Sequence, residues 1–170
     1  DNLLGGEEHY EKLAFGGFKT AMATFDSTRP MVASMAVGIA RAAYEYARDW
    51  LKERYDFRRP IPRYQALLNT LADMERRLDA ARMLCWNAAY MADMGIPNAK
   101  EASMSKAYAG HWCTQICYQA VELMGPDGLS EEHLVEKWFR DIKVFDIFEG
   151  TAQAQRIVIS KRIIDGIQSF

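Results

Sequence analysis

The sequence predicts an all-α fold, an up-and-down four-helix bundle. Apolar residues recur at helical spacing over three long stretches and one shorter terminal stretch, and no segment shows the alternation typical of a β-strand. Segments containing glycine and proline separate these stretches. Long helices joined by short loops pack antiparallel to their neighbours. With 170 residues, the chain is long enough for one domain with a sizeable core, or for part of a longer protein.

Composition and charge exclude several classes of function. The formal net charge is −2 at pH 7, without the basic excess typical of nucleic-acid-binding proteins. No apolar run approaches the ~20 residues that a membrane-spanning helix needs. The sequence also lacks the Glu-x-x-His pairs of di-iron bundles and the glycine-rich loops that bind phosphate.

The cysteines indicate a reducing compartment rather than a disulfide framework, because their number is odd: Cys85, Cys113 and Cys117. Cys113 and Cys117 lie one helical turn apart with His111 nearby, but the sequence offers no fourth ligand. Buried cysteines on a helix face are the commoner arrangement. We therefore expect no metal site.

The first helix is preceded by a polar segment. We expect residues 1–16 to be a lead-in and residues 17–170 to form the bundle. The apolar positions of this helix begin at Phe18, and the helix runs to about Arg54. Pro30 should kink or restart it, because a proline inside a helix removes one backbone hydrogen bond.

Two more long helices follow. Pro62 fits the first turn of the second helix, and Gly95-Ile96-Pro97 ends it. The third helix starts after Asn98 as its cap and runs to Leu123 or Met124. One stripe of this helix is small, which lets a neighbouring helix approach closely. The stripe comprises Ala102, Ala109, Gly110, Cys113, Cys117 and Ala120.

Shorter elements complete the bundle. Gly125-Pro126-Asp127-Gly128 breaks the third helix. Ser130 is expected to cap a short helix that has Glu131 and Glu132 in its first turn. A terminal helix runs to about Gly166.

The stretch from Arg140 to Arg156 holds the strongest candidate for chemistry, Glu149. Neighbouring apolar side chains such as Phe148 disfavour the charged form of a glutamate, which suits a general base. Gly150 lets the backbone turn or approach a ligand, and Thr151 can cap the helix that follows. Alternatively, the glutamate stands there only because the helix macrodipole favours a negative charge. The local pattern leaves both interpretations open.

The sequence Phe148-Glu149-Gly150-Thr151-x-Gln153-x-Gln155-Arg156 resembles the signature near the C-terminus of the acyl-CoA dehydrogenases. In that family the glutamate of the Tyr/Phe-Glu-Gly-Thr segment removes a proton from the acyl α-carbon. The resemblance extends from about Leu3 to Ile164 and covers the C-terminal helical domain. It implies that residues 1–16 lead out of a middle β-domain that the sequence does not contain.

A second segment, Phe25-Asp26-Ser27-Thr28-Arg29-Pro30, resembles the family segment near the glutamate and the coenzyme A part of the substrate. By the residues alone, Asp26 and Arg29 are three apart on a helix and can pair. The resemblance makes Asp26, Arg29 and Gly150 substrate contacts. In one branch of the family the base lies on this segment, but the matching positions are Ser27 and Thr28, which leaves Glu149 as the base.

Two further segments resemble regions that hold FAD across a subunit interface. Residues 52–60 contain clustered arginines, which can bind phosphate or form a solvated basic loop. Residues 122–128 match a loop that approaches the FAD of a partner subunit. The resemblance makes seven residues cofactor contacts: Arg54, Phe57, Gln65, Glu122, Gly125, Thr151 and Gln153. Four positions depart from the family pattern: Asp56, Arg58, Glu122 and Pro126.

The resemblance implies α,β-dehydrogenation of an acyl-CoA thioester in fatty acid metabolism. Glu149 would take the α-proton while a hydride leaves the β-carbon for FAD. The partners would be the acyl-CoA, an electron-transfer flavoprotein or similar acceptor, and further copies of the chain in a dimer or homotetramer. The location would be the bacterial cytoplasm or the mitochondrial matrix of a eukaryote, and the fragment alone would be inactive.

The alternative function is a non-catalytic helical assembly subunit or domain of the same family that has lost FAD binding. The four departures favour this alternative, since Glu122 adds negative charge near the expected pyrophosphate and Pro126 removes a backbone N–H. The intact Glu149-Gly150-Thr151 sequence favours the enzyme.

Overall fold

The computed structural model describes the backbone of residues 7–56, 59–60 and 64–168, and the side chains of residues 21–54 and 64–165. Two 3-10 helices, Gly125–Leu129 and Ile142–Asp146, flank the fourth helix, and Tyr55–Asp56 pairs antiparallel with Arg59–Pro60. The α-helices are α1 (Glu7–Lys52), α2 (Gln65–Asp93), α3 (Ala99–Met124), α4 (Leu134–Asp141) and α5 (Ala152–Gln168). The predicted all-α bundle is confirmed, with α4 as a short additional helix.

Helix α1 is longer and more continuous than expected. It begins at Glu7, so residues 7–16 of the expected lead-in are helical; whether residues 1–16 belong to another domain stays a prediction. Pro30 lies inside the helix, and the expected restart there is wrong. Proline inside a helix costs about 3 kcal/mol, and burial of Pro30 and of the following Val32 and Ala33 offsets that cost.

Helix α3 lies at the centre of the fold and contacts α1, α2, α4 and α5. Buried alanines of α1 and buried small residues of α3 belong to one core cluster, and small side chains let two helices approach closely. All six residues of the predicted small stripe are buried, which confirms it. The buried alanines of α1 in this cluster are Ala33, Ala36, Ala40, Ala43 and Ala47.

The three cysteines are buried and free, as packing residues of this core. Burial raises the pKa of the Cys85 and Cys113 thiols, and raises that of Cys117 to about 12. The described residues contain no group of three or more His, Cys, Asp and Glu side chains placed to hold a metal ion. Among the described helices, none is both long and apolar enough to cross a membrane.

The segments between helices differ from expectation in three details. Helix α2 begins at Gln65 with Tyr64 as its N-cap, three positions after Pro62, which was expected in the first turn and lies outside the described residues. Asn98 precedes α3 as predicted, but its side chain does not cap the helix; Nδ2 donates to the carbonyl of Ala88, 2.8 Å away, and so ties α3 to α2. Ser130 does not cap α4, whose N-cap is His133. Instead, the Ser130 carbonyl accepts from the His133 N–H at 3.1 Å. Because of this turn, α4 begins at Leu134 and not directly after Ser130.

Gly128 is required by a close approach between backbones. A Cβ at this position would lie 2.6 Å from the Val121 carbonyl oxygen. We expect Gly128→Ala to lower the free energy of unfolding by about 1–3 kcal/mol, as overpacking does elsewhere. Urea denaturation of the 170-residue chain measures the change.

Gly38→Ala is the matched control. Gly38 lies within α1, and a Cβ there has nothing within 4 Å. Alanine is favoured over glycine inside a helix by about 0.5–1 kcal/mol, so this variant should be more stable than the wild type. Equal effects of the two substitutions would show that the Val121 contact does not restrict residue 128.

Candidate functional site

The backbone around Glu149 is the most unusual part of the described chain. Residues 148–151, here called the Glu149 turn, connect the second 3-10 helix to α5. Glu149 has φ +60° and is the non-glycine residue with positive φ among the described residues; Gly150 follows with φ +98°. Left-handed backbone at a non-glycine residue costs about 1–3 kcal/mol and persists only where surrounding contacts enforce it.

Side chains from two helices enforce this conformation. Gln155 of α5 is fully buried, and its Nε2 donates to the carbonyl oxygens of Glu149 at 3.1 Å and Gly150 at 3.0 Å. Lys106 of α3 donates from Nζ to the Gly150 carbonyl oxygen at 2.8 Å. Thr151 caps α5 as predicted, since its Oγ1 accepts from the Ala154 N–H at 3.3 Å.

Glycine is needed at position 150 for two reasons. The positive φ disfavours other residues, and a Cβ there would lie 2.6 Å from Nε2 of Gln155. The hydrogen bonds that hold the turn therefore depend on Gly150 having no side chain.

The Glu149 carboxylate meets the segment from α1 that was expected near it. Oγ1 of Thr28 donates to Oε2 of Glu149 at 2.5 Å, across 121 residues of sequence. Glu149 is half-buried. Thr28, one of the two residues that the sequence analysis matched to the alternative base, thus hydrogen-bonds the carboxylate through its hydroxyl.

Asp26 and Arg29 pair as the sequence predicted. Nη1 of Arg29 donates to Oδ1 of Asp26 at 2.9 Å and to Oγ of Ser103 on α3 at 3.3 Å. Arg29 is only 5 % exposed, and its Nε has no hydrogen-bond partner among the described residues. The guanidinium therefore orients Asp26 and joins α1 to α3.

Asp26 also borders a cavity of about 510 Å³ between α1, the end of α2, the start of α3 and α5. The charged residues Lys100, Glu101 and Arg162 line it as well. Burial raises the pKa of Asp26, while the charges of Arg29 and Arg162 oppose that rise. Asp26 and Arg29 remain predicted, untested substrate contacts.

A second group of predicted site residues lies where α3 ends. Arg54 is exposed, stacks over the Trp50 ring at 4.2 Å, and donates from Nη2 to Oδ2 of Asp127 at 3.0 Å. This contact joins the segment after α1 to the loop after α3. Gly125 has φ +62° and nothing within 4 Å of a would-be Cβ, and Glu122 is exposed one turn earlier.

The described residues account for most of this second group. Gln65 is exposed at the first residue of α2, whereas Phe57 and Arg58 lie outside the described residues. Pro126 stands in the first turn of its 3-10 helix, where the missing N–H would have had no helical partner. Its departure from the family pattern is therefore compatible with the loop.

The two groups are far apart within one chain. Lys106, below the Glu149 turn, and Glu122 are 16 positions apart on α3 (122 − 106), which is about 24 Å at a rise of ~1.5 Å per residue. Thr151 and Gln153 are exposed beside Glu149, so they belong to the first group. One chain does not bring all the predicted cofactor contacts together.

Sequence reasoning missed Lys106 and gave Gln155 no role. Both side chains are buried. Lys106 contacts the Gly150 carbonyl, which is distant in sequence, and Gln155 contacts the carbonyls of the Glu149 turn. One sequence signal could have indicated that Lys106 is buried. This lysine lies three or four positions from Ser103, Ala109 and Gly110, which are small residues on the buried side of α3.

Comparison with known proteins identifies the family. The family model described as "Acyl-CoA dehydrogenase, C-terminal domain" matches residues 16–164. The caffeyl-CoA reductase–Etf complex subunit CarC of Acetobacterium woodii is 43% identical over 148 residues, 87% of this chain and 39% of that protein. The 3-(aryl)acrylate reductase of Clostridium sporogenes is 41% identical, with the same coverage of each chain.

A relative named as a dehydrogenase and two solved structures support the same family. The short-chain specific acyl-CoA dehydrogenase of Clostridium acetobutylicum is 37% identical over 96% of this chain and 41% of that protein. The structure of butyryl-CoA dehydrogenase from Megasphaera elsdenii superposes with a TM-score of 0.86 at 36% identity, covering 88% of this chain and 39% of that one. Glutaryl-CoA dehydrogenase in complex with glutaryl-CoA gives 0.82 at 26% identity, covering 88% and 38%.

The chain spans about two fifths of the length of these relatives. The family model nevertheless covers most of the chain, and the solved relatives share its helical arrangement. This chain therefore belongs to the acyl-CoA dehydrogenase family, in which it corresponds to the C-terminal helical domain.

Proposed function

We propose that this chain is the C-terminal domain of an FAD-dependent acyl-CoA dehydrogenase, in which Glu149 removes the α-proton of an acyl-CoA thioester. The observation that carries the proposal is the Glu149 turn. Its backbone is held in a left-handed conformation, and the Thr28 hydroxyl fixes one carboxylate oxygen at 2.5 Å. Among the described residues, Oε1 has no hydrogen-bond partner, which leaves it available to accept a proton.

The backbone of the same turn supplies a second group for the reaction. The described residues offer no hydrogen-bond acceptor to the N–H of Glu149. A free N–H beside the base can bond the thioester carbonyl oxygen and stabilise the negative charge that develops there when the α-proton leaves. Gly150 has no side chain, so it does not block the approach of the thioester to this N–H.

FAD, when bound, supplies the acceptor for the hydride that leaves the β-carbon. Thr151 and Gln153 would contact it from the copy whose Glu149 is the base. The exposed guanidinium of Arg54 and the open backbone at Gly125 fit an anionic, extended group. They lie at the Glu122 end of α3, and Glu122 is about 24 Å along that helix from Lys106. We therefore assign the second group to a neighbouring copy, which requires at least a dimer. That group comprises Arg54, Phe57, Gln65, Glu122 and Gly125.

The same residues can serve either direction of the reaction. Two relatives are named as reductases, and one of them is a subunit of a complex with Etf. A carboxylate that accepts the α-proton in dehydrogenation donates it in reduction, because both directions share one transition state. We propose an electron-transfer flavoprotein or a similar carrier as the electron partner, and its potential would set the direction.

A non-catalytic assembly subunit is the second candidate. The observation that favours it is the charge near the expected pyrophosphate, where Glu122 is exposed and Arg54 is already paired with Asp127. A visible absorption spectrum of the full-length protein distinguishes the two functions. A flavin band that bleaches on addition of an acyl-CoA supports the dehydrogenase, and a folded, colourless protein that does not take up FAD supports the subunit.

Glu149→Gln in the full-length protein should remove the base while retaining the size of the side chain. We expect the turnover number to fall by about 10²–10⁴-fold, the usual contribution of a general base, with unchanged flavin content and thermal stability. Steady-state assays with an acyl-CoA and an artificial electron acceptor measure it.

Glu131→Gln is the matched control, since Glu131 is exposed and lies outside both groups of site residues. It should keep wild-type turnover. Wild-type turnover in Glu149→Gln would show that Glu149 is not the base.

Glu122→Gln tests the placement of the second group. Removing one exposed negative charge near the flavin phosphates should lower the FAD dissociation constant about two- to fivefold, the range for single exposed charges. Equilibrium titration of the apoprotein with FAD measures the change, and the exposed Glu132→Gln is the control. Equal dissociation constants for all three proteins would place Glu122 away from the phosphates.

A further inference from the structure

Lys106 is a buried cation that the proposed reaction does not use. It is 1 % exposed, and the hydrogen-bond acceptor of its ammonium is a neutral carbonyl rather than a carboxylate. Removing an ammonium from water costs free energy unless it is paired. Burial accordingly lowers the pKa of Lys106. A methionine of similar length would fill the same space without this cost.

The charged groups around Lys106 show what its charge does. Arg29 faces it from α1, Asp146 from the second 3-10 helix and Glu149 from the turn; α5 contributes the neutral Gln155. Arg29 is paired with Asp26, and Asp146 is paired on its outer side with Lys143 at 2.8 Å.

The Glu149 carboxylate, in contrast, is contacted by a hydroxyl rather than by a cation. The two carboxylates near Lys106 both favour its charged form and oppose the effect of burial on its pKa.

We propose that Lys106 is a positioning residue of the site, which holds the Gly150 carbonyl beneath the Glu149 turn and so keeps the Glu149 carboxylate aligned. The inference rests on the proposed role of Glu149 as the base. Alignment can be separated from folding, because the Gly150 carbonyl also accepts from Nε2 of Gln155 at 3.0 Å. The turn therefore keeps one of its two donors to that carbonyl when Lys106 is replaced.

Lys106→Met in the full-length enzyme should lower the turnover number about 10–100-fold, the scale expected for a misaligned catalytic group. KM should change little, because Lys106 is buried and does not face the substrate. Steady-state assays with an acyl-CoA and an artificial electron acceptor measure both constants.

Two further variants make the outcome decisive. Lys143→Met also removes a positive charge near Asp146, but Lys143 is exposed, and it should keep wild-type turnover. Lys106→Gln retains a donor for the Gly150 carbonyl, and it should recover part of the turnover that Lys106→Met loses; it also serves if the methionine variant does not fold. Lower stability with wild-type turnover would reduce Lys106 to a structural role and overturn the proposal.

Failure of the two proposals can be distinguished. Wild-type turnover in Glu149→Gln overturns the proposed function and the role of Lys106 with it. Loss of turnover in Glu149→Gln with wild-type turnover in Lys106→Met overturns only the role of Lys106.

The lowered pKa of Lys106 also predicts a pH dependence of stability. Between that lowered value and the ordinary lysine value, the unfolded chain binds one proton more than the folded chain at this site. The contribution of Lys106 to stability therefore rises with pH across this window. Comparison of urea denaturation at pH 8 and pH 10 should show a smaller rise in Lys106→Met than in the wild type and Lys143→Met. Equal rises in all three proteins would show that Lys106 is not a desolvated cation.

Discussion

The close contact between α1 and α3 is the constraint on which the site depends. Small residues on both helices form one buried seam, and the hydrogen bond from Arg29 to Ser103 continues this contact to the level of the site. As a result, Thr28 on one helix reaches the Glu149 carboxylate, while Lys106 on the other reaches the backbone directly after it. A larger side chain at one of these small, buried positions would push α1 and α3 apart and move them away from the Glu149 turn.

This arrangement places a buried cation at the Glu149 turn without a direct salt bridge to Glu149. Arg29 and Asp146 each have a charged partner at hydrogen-bonding distance, whereas Glu149 accepts from a neutral hydroxyl. A direct salt bridge would occupy the carboxylate oxygen that the proposed reaction needs. Lys106 instead contacts the carbonyl of the next residue, Gly150, and leaves that oxygen accessible. An accessible carboxylate oxygen would serve both dehydrogenation and reduction, because the same oxygen exchanges the proton in either direction.

Local patterns predicted the helices and part of the site, while contacts between distant residues decided the rest. Helical spacing and the glycine and proline breaks predicted the bounds of α3 and the cap at Thr151, which are confirmed. The expected restart at Pro30 is wrong, because burial of its neighbours outweighs the lost hydrogen bond; the alternative, a kink there, stays a prediction. Lys106 was missed because its acceptor is 44 residues away, and residue type alone suggests that a lysine is exposed.

The left-handed backbone at Glu149 has a consequence for how such domains change under selection. The residue that the proposed reaction uses as its base is also a residue that the local conformation disfavours. Glycine or asparagine would fit this backbone with less strain. A library of this domain selected only for heat resistance would thus accumulate sequences without the carboxylate. Folding stability alone therefore does not explain a glutamate at this position.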